Sequence, residues 1–289
     1  MYQSPDEARS DLFLAGGVYL FGPAVIDILL GVAGINLRGT GGVVLDVVVI
    51  AASTVLVPLL LIRYRREPLS MYGLSGGPAE GMGLGLLIAA PIVAATALAG
   101  VVSGWTTVPV LTNGAEAVTP VLRGLVYWLC LTLLAVYATV KARGAFRGDP
   151  QSVRQGVADI GRWVGIVALV ATLLLIAARS LQPARIILPL AVLILLPLGV
   201  AGAVLVTLRL LRGPSVTTRP TLLTPVVLLA VSAFNLSLQA VNLVAGAWLG
   251  AMVGAVGLII GALQEQRRSA QAALTLAVAL ALLTSLGQL

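Results

Sequence analysis

The chain has 289 residues, of which 59% are hydrophobic and only 10% are charged, with 18 Lys and Arg against 11 Asp and Glu. A soluble domain carries about a quarter charged residues, so this composition excludes both a soluble globular protein and a disordered chain. The net charge of +7 does not indicate nucleic-acid binding either, because the arginines lie beside apolar runs and not on a polar face.

The sequence predicts an all-α, polytopic membrane protein with a single transmembrane domain over residues 1–289. A bilayer core needs about 20 apolar residues per helix. The region 220–265 can be interpreted as one helix or two, which makes eight spans the alternative to nine. It is too long for one crossing, and Gly246 with Trp248 marks a turn, so we predict nine spans. They are 13–36, 42–62, 82–104, 121–140, 160–178, 185–208, 221–243, 246–264 and 271–288.

The basic residues predict which way the spans run. With a cytoplasmic N-terminus, the predicted inside segments hold 14 of the 18 basic residues. The other four are Arg38, Arg123, Arg179 and Arg185. This asymmetry follows the positive-inside rule, and it predicts a multi-pass protein of the cell (cytoplasmic) membrane.

Several kinds of chemistry are excluded by the residues that are missing. The chain has no histidine and one cysteine, Cys130, which lies in an apolar run. A disulfide within the chain, a Cys/His metal site and a histidine-activated nucleophile are therefore excluded. No two acidic residues share a predicted span at helical spacing, so a general acid–base pair is not expected. The sequence predicts no cofactor and no metal.

Asp27 lies near the middle of the first predicted span. An ionised carboxylate at mid-bilayer costs at least about 2.5–3.5 kcal/mol, so this group is expected to be protonated, paired or hydrated. Pro23, four residues earlier, frees the carbonyl of Tyr19 and is predicted to bend the helix. A second carboxylate, Asp46, lies near the outer end of the second span, where water or an arginine can reach it.

A polar stripe runs along the seventh predicted span. Ser232, Asn235, Gln239 and Asn242 follow one another at intervals of 3, 4 and 3 residues, which places them on one helix face. Amides that face lipid would lack hydrogen-bond partners, so this face is expected to point into the bundle or a wet cavity. Two interpretations remain open: hydrogen bonds between helices, or the lining of a substrate or ion cavity.

Small residues form a second stripe immediately afterwards. Gly246, Gly250 and Gly254 recur every four residues, a spacing that lets two helix backbones approach closely. We predict a helix-packing surface, which faces either another span of the same chain or a second protomer.

The order of these features resembles the CPBP family, the CAAX-protease and bacteriocin-processing intramembrane proteases. The basic segment after the second span is followed by a Gly-rich third span and a fourth span that ends near Arg143 and Gly144. In that family the corresponding helix carries two adjacent glutamates, three other residues and an arginine, commonly with glycine next. Arg143 and Gly144 match this motif, whereas Ala138 and Thr139 replace the glutamates.

The family's later motifs match only in part. A late helix of the family carries a histidine with an asparagine four residues later, and Asn235 with Gln239 has that spacing here. We find no span-embedded phenylalanine with an arginine four residues later. The resemblance implies that glutamates and histidine activate water within the membrane, which alanine, threonine and neutral amides cannot do. It therefore implies a degenerate member that keeps the bundle without the peptidase chemistry.

These observations favour a non-catalytic multi-pass membrane protein that binds a partner protein or lipid through a polar intramembrane face. The alternatives are a small-solute or ion transporter that uses Asp27 with the amide face, and a scaffold subunit assembled through the glycine stripe. The expected partners are membrane lipid and another membrane protein or a second copy of the chain, and nucleic acid is not among them. The candidate polar site comprises Asp27, Arg143, Ser232, Asn235, Gln239 and Asn242.

Overall fold

A computed structural model describes residues 4–34, 40–74, 78–102, 114–145, 187–210, 222, 224–230, 243–267 and 270–286. Within these ranges the chain consists of helices and turns and contains no strand, which confirms the predicted all-α class. A π-helical turn, Ala52–Leu56, joins α2 to α3, and residues 224–230 are also helical. The long helices are α1 (Pro5–Val32), α2 (Thr40–Ala51), α3 (Val57–Arg65), α4 (Pro78–Val102), α5 (Gly114–Ala145), α6 (Ile187–Leu210), α7 (Leu243–Arg267) and α8 (Ala270–Leu286).

Among the described residues, four helical stretches are long and apolar enough to cross a membrane: Pro5–Leu30, Val47–Arg65, Gly81–Ala99 and Val121–Ala145. Shorter apolar stretches occur in α6, α7 and α8, at the predicted sixth, eighth and ninth spans. The predicted fifth span, 160–178, and most of the seventh, 221–243, lie outside the described residues. Large apolar side chains are exposed along α1, as lipid contact requires. They include Phe13, Phe21, Ile28, Leu29 and Val32.

The first helix begins at Pro5, earlier than the span predicted from residue 13. Ser4 and Glu7 form a capping box, in which the Ser4 N–H donates to Glu7 Oε2 at 3.2 Å and the Glu7 N–H donates to Ser4 Oγ at 3.3 Å. The added turns place Glu7 and Asp11 four residues apart on one helix. Both residues precede the predicted span 13–36, so the absence of an acidic pair within the predicted spans does not extend to this longer helix.

Helices α4 and α6 run antiparallel and in close contact. A Cβ atom built on Gly199 would lie 2.5 Å from the Cβ of Ala95, and one built on Gly202 would lie 3.1 Å from the Cβ of Pro91. As α6 advances along the chain, its contacts therefore move backwards along α4. The beginning of α4 and the end of α6 lie at the same end of the bundle.

The end of α5 lies beside the beginning of α1 and the end of α7. Arg9 Nε donates to the Ala145 carbonyl at 3.1 Å, and Arg143 Nη2 donates to the Gln264 carbonyl at 3.4 Å. Helix α5 packs against α1, α2, α7 and α8, and almost all its side chains from residue 128 to residue 142 are buried or half-buried. It is the central helix of the described bundle.

The turn after α3 connects two sets of helix ends. One set is the beginning of α4 and the end of α6, and the other is the end of α5, the beginning of α1 and the end of α7. Arg65 Nη1 lies 3.0 Å from Glu7 Oε1 of α1, and the Ala270 N–H at the beginning of α8 donates to the Gly73 carbonyl at 3.3 Å. We call this region the basic end of the bundle; α1, α4 and α8 begin there, and α3, α5, α6 and α7 end there. The arginine distribution predicts the same grouping, and the assignment of this end to the cytoplasm stays a prediction.

Gly85 and Gly83 provide a matched test of how closely α4 and α8 pack. A Cβ atom on Gly85 would lie 2.5 Å from the Ala272 carbonyl oxygen and 2.8 Å from Thr275 Cβ, whereas one on Gly83 meets nothing within 4 Å. Overpacking of this kind costs about 1–3 kcal/mol, so we expect Gly85→Val to lower the thermal unfolding midpoint in detergent. Gly83→Val is the control, and equal losses in the two variants would contradict the described packing.

Candidate functional site

Lys141 is the most deeply buried charged side chain at the basic end. Its side chain is 2% exposed, and its Nζ lies 2.9 Å from Asp11 Oδ2 on α1 and 2.7 Å from Glu67 Oε1 in the turn after α3. An ammonium removed from water destabilises the folded state unless it is paired and hydrogen-bonded. The two carboxylates supply that pairing, so one buried cation connects three parts of the chain.

Arg65, the last residue of α3, extends this group of charges. Its Nη2 lies 3.2 Å from Asp11 Oδ1, and its Nη1 lies 3.0 Å from Glu7 Oε1. Glu7 and Asp11 are one helical turn apart on α1, so both can reach the same guanidinium. Glu7, Asp11, Arg65, Glu67 and Lys141 are hereafter called the ionic cluster.

Two tyrosines cover the ionic cluster. The hydroxyl of Tyr72 donates to Glu67 Oε2, and its ring stacks on that of Tyr137 with centroids 5.9 Å apart and planes 5° from parallel. Lys141 Nζ lies 5.5 Å from the Tyr137 ring centroid, within the range of a cation–π contact. Burial, and then the hydrogen bond to the Glu67 carboxylate, raise the pKa of Tyr72 above its ordinary value.

A backbone turn brings Glu67 and Tyr72 to α5. Arg66 adopts a left-handed conformation with φ of 55°, and its N–H and that of Glu67 donate to the carbonyls of Arg63 and Ile62. This closes α3 in the manner of a Schellman cap. Pro68 and a 3₁₀ turn over Leu69–Tyr72 follow, which return the chain towards the bundle.

Of the six predicted site residues, Asp27 and Arg143 lie in the described part of the chain. Gly144, next to Arg143, is packed against Ala8, with its added Cβ at 3.2 Å from the Ala8 Cβ. Asp27 is on the same helix as Ala8, about 28 Å further along at 1.5 Å per residue. Arg143 and Asp27 therefore lie far apart. Ser232, Asn235, Gln239 and Asn242 lie outside the described residues, so the polar stripe stays a prediction.

The two positions that the CPBP resemblance makes important are buried in α5. Ala138 and Thr139 are 1% and 0% exposed, and Thr139 Oγ1 donates to the Ala135 carbonyl at 2.7 Å. The charged residue that follows them, Lys141, holds two carboxylates. These positions of α5 therefore support packing and ion pairing and provide no carboxylate.

The glycine stripe of α7 packs partly against the same chain. A Cβ atom on Gly254 would lie 3.1 Å from the Cβ of Ala230, and one on Gly257 would lie 2.7 Å from the Pro225 carbonyl oxygen. Gly250 is buried, and the surroundings of Gly246 lie outside the described residues. For Gly254 the contact is therefore with another segment of this chain.

None of the site residues predicted from the sequence belongs to the ionic cluster. Its basic members contribute only to the predicted topology, and the sequence pattern does not pair them with its acidic members. A usable signal was present, since Lys141 follows a long apolar run of α5 and Asp11 lies next to an apolar run of α1. Charged residues inside a membrane helix are costly enough that each indicates an oppositely charged partner.

The arrangement of the ionic cluster has a limited chemical capacity. Among the described residues there is no group of three or more His, Cys, Asp or Glu side chains that could hold a metal ion. Asp11 and Glu67 are each engaged in an ion pair with the Lys141 ammonium. The geometry therefore acts as an electrostatic clamp between helices. Comparison with protein families, curated proteins and solved structures finds no match for this chain.

Removal of the central cation tests this clamp. Lys141→Met keeps most of the side-chain volume and leaves Asp11 and Glu67 without their shared partner. We expect the free energy of unfolding to fall by about 3–5 kcal/mol, because an uncompensated charge remains buried. Arg63→Met, at an exposed position, is the control and is expected to change it by less than about 0.5 kcal/mol. Equal small effects would show that the ion pairs do not stabilise the bundle.

The raised pKa of Tyr72 predicts a loss of stability at alkaline pH. Above about pH 10 the tyrosines of the unfolded chain lose protons while Tyr72 in the folded state does not, so the unfolded state is favoured. The contribution of Tyr72 to the free energy of unfolding is complete below about pH 10 and decreases by up to about 1.4 kcal/mol per pH unit as the pH rises. Thermal unfolding midpoints should therefore fall less steeply from about pH 9 to about pH 11 in Tyr72→Phe than in the wild type. The exposed Tyr64→Phe should keep the wild-type slope, and parallel curves for all three proteins would refute the assignment.

Proposed function

We propose that the protein is a non-catalytic, multi-pass protein of the cell membrane with a CPBP-like helical bundle. It binds a partner protein or lipid through the polar face formed by Ser232, Asn235, Gln239 and Asn242. The observation that carries this proposal concerns the side chains of α5. Ala138 and Thr139, which stand where the family has its glutamates, are buried, and Lys141 makes ion pairs.

The ion pairs argue against acid–base catalysis at this place. A general acid or base must exchange a proton with substrate or water, and its pKa must lie near the working pH. Asp11 contacts two cations, and Glu67 contacts Lys141 and the Tyr72 hydroxyl. The oxygens of both carboxylates are therefore engaged by side chains of this chain, as parts of a structural clamp.

We also propose that the bundle has nine spans, which the directions of the described helices support. Helices α5 and α6 both end at the basic end, as do α6 and α7. Consecutive membrane helices of a polytopic bundle alternate in direction. Two helices that end on the same side are therefore expected to have one further membrane crossing between them in the chain. The fifth and seventh spans that the sequence predicts would account for those two crossings.

The polar face is the feature best suited to recognise a membrane-embedded partner. Its amides and hydroxyl lie in a span that otherwise consists mainly of apolar residues. Hydrogen bonds between such groups contribute on average about 0.6 kcal/mol each within a bilayer, which corresponds to a roughly threefold change in affinity. Binding by this face is therefore specific without being tight.

The proposal is tested by site-specific photo-crosslinking in native membranes. With a photoreactive residue at position 242, we expect one adduct, whose mass identifies a protein or a lipid. Asn235→Leu with Gln239→Leu should lower its yield by about tenfold, the product of two threefold losses. Leu238→Val, in the same predicted span, is the matched control and should leave the yield unchanged.

Three outcomes would count against this function. Cleavage of prenylated or signal-type peptides by the purified protein, abolished by Asn235→Ala, would show a peptidase. Solute or ion flux into proteoliposomes that depends on Asp27 would favour the transporter hypothesis. An unchanged crosslink yield in the double variant would contradict recognition by the amide face.

A further inference from the structure

The segment from residue 63 to residue 74 presents two arginines that the ionic cluster does not use. Arg65 points into the bundle and is paired, whereas Arg63 and Arg66 on either side of it are exposed. Neither of these two has an ion pair with any side chain in the described ranges. Within the described ranges, two positive charges therefore remain without an ion pair at the end of a helix that is long and apolar enough to cross a membrane.

The backbone at Arg66 singles out its side chain. It is the one non-glycine residue with a positive φ in the described part of the chain, at 55°. The left-handed position at a helix C-terminus is usually filled by glycine, because a Cβ atom is unfavourable there. Arginine is poorly suited to this backbone position, so the backbone does not account for its presence, and its exposed guanidinium is the group that a ligand can use.

Apolar side chains accompany these charges. Leu69, Met71 and Leu74 are exposed on and beside the 3₁₀ turn, and Tyr64 is exposed at the end of α3. Arg65 lies over the Tyr64 ring, with its Cζ 5.6 Å from the centroid. Tyrosine and amphipathic segments of this kind occupy the boundary between headgroups and acyl chains.

We propose that this segment binds an anionic phospholipid. The guanidinium groups of Arg63 and Arg66 hold the headgroup phosphate, with which arginine forms paired hydrogen bonds, while Leu69, Met71 and Leu74 contact the upper acyl chains. An acidic protein segment would complement the arginines and leave the three apolar side chains in water. A zwitterionic lipid would match the apolar side chains and leave the two positive charges uncompensated.

This lipid site is separate from the polar face of the seventh predicted span, so the two proposals can fail independently. A basic side chain near an anionic membrane surface contributes about fivefold in affinity. Removal of both arginine charges is therefore expected to weaken binding by about 25-fold.

The test titrates the full-length protein, purified in a neutral detergent, with phosphatidylglycerol and with phosphatidylcholine, and counts bound lipids by native mass spectrometry. The wild type should bind phosphatidylglycerol more tightly, and Arg63→Gln with Arg66→Gln should weaken this by about 25-fold, to the level of phosphatidylcholine. Arg63→Lys with Arg66→Lys keeps the charges but loses the paired hydrogen bonds, so its affinity for phosphatidylglycerol should lie between those of the wild type and the double glutamine variant. Arg123→Gln, which removes an exposed charge elsewhere, is the control and should have no effect.

A glycine variant separates lipid binding from folding. Arg66→Gly removes the charge and relieves the left-handed backbone, so the thermal unfolding midpoint should stay the same or rise while phosphatidylglycerol affinity falls about fivefold. Unchanged affinity in the double glutamine variant, or an equal loss in Arg123→Gln, would overturn the proposal. Displacement of the lipid by an equal concentration of inorganic phosphate would also overturn it, because free phosphate would then be the ligand.

Discussion

The described bundle depends on one constraint, which is that the ammonium of Lys141 must be paired where it is buried. With 2% of its side chain exposed, Lys141 is held by Asp11 and Glu67, and an unpaired charge there would cost several kcal/mol. The beginning of α1, the end of α3 and the end of α5 must therefore meet within hydrogen-bonding distance. This meeting defines the basic end, and the capping box that starts α1 at Pro5 belongs to the same requirement, because it places Glu7 and Asp11 on one helix.

Hydropathy was sufficient to predict the helical class and the approximate positions of the described helices, because each helix must be apolar over about 20 residues to cross a bilayer. The start of α1 was predicted too late because its first two turns are acidic and were assigned to the water phase. The local signal that corrects this is the spacing of Ser4 and Glu7 around Pro5. The pairing of Asp11 with Lys141 joins residues 130 positions apart in the chain, and such a contact depends on tertiary packing that hydropathy does not encode.

The motif that carries the family resemblance has structural contacts of its own. Arg143 donates to a carbonyl at the end of α7, and Gly144 lets the beginning of α1 approach α5 closely. Arg143 and Gly144 therefore have packing roles in this bundle that do not depend on the family resemblance. The glycine stripe is a second example. Its spacing predicts close packing, but the sequence does not identify the packing partner. The structure shows that segment 224–230 lies against Gly254.

A double-mutant cycle between Asp11 and Lys141 tests the central claim most directly. The free energy of unfolding is measured for the wild type, Asp11→Asn, Lys141→Met and the double variant, all in the same detergent. If the buried pair connects α1 to α5, the double variant loses less stability than the two single losses added together, by about 0.5–3 kcal/mol. Additive losses would show that the two side chains act independently, and the ionic cluster would then not be the interaction that organises the bundle.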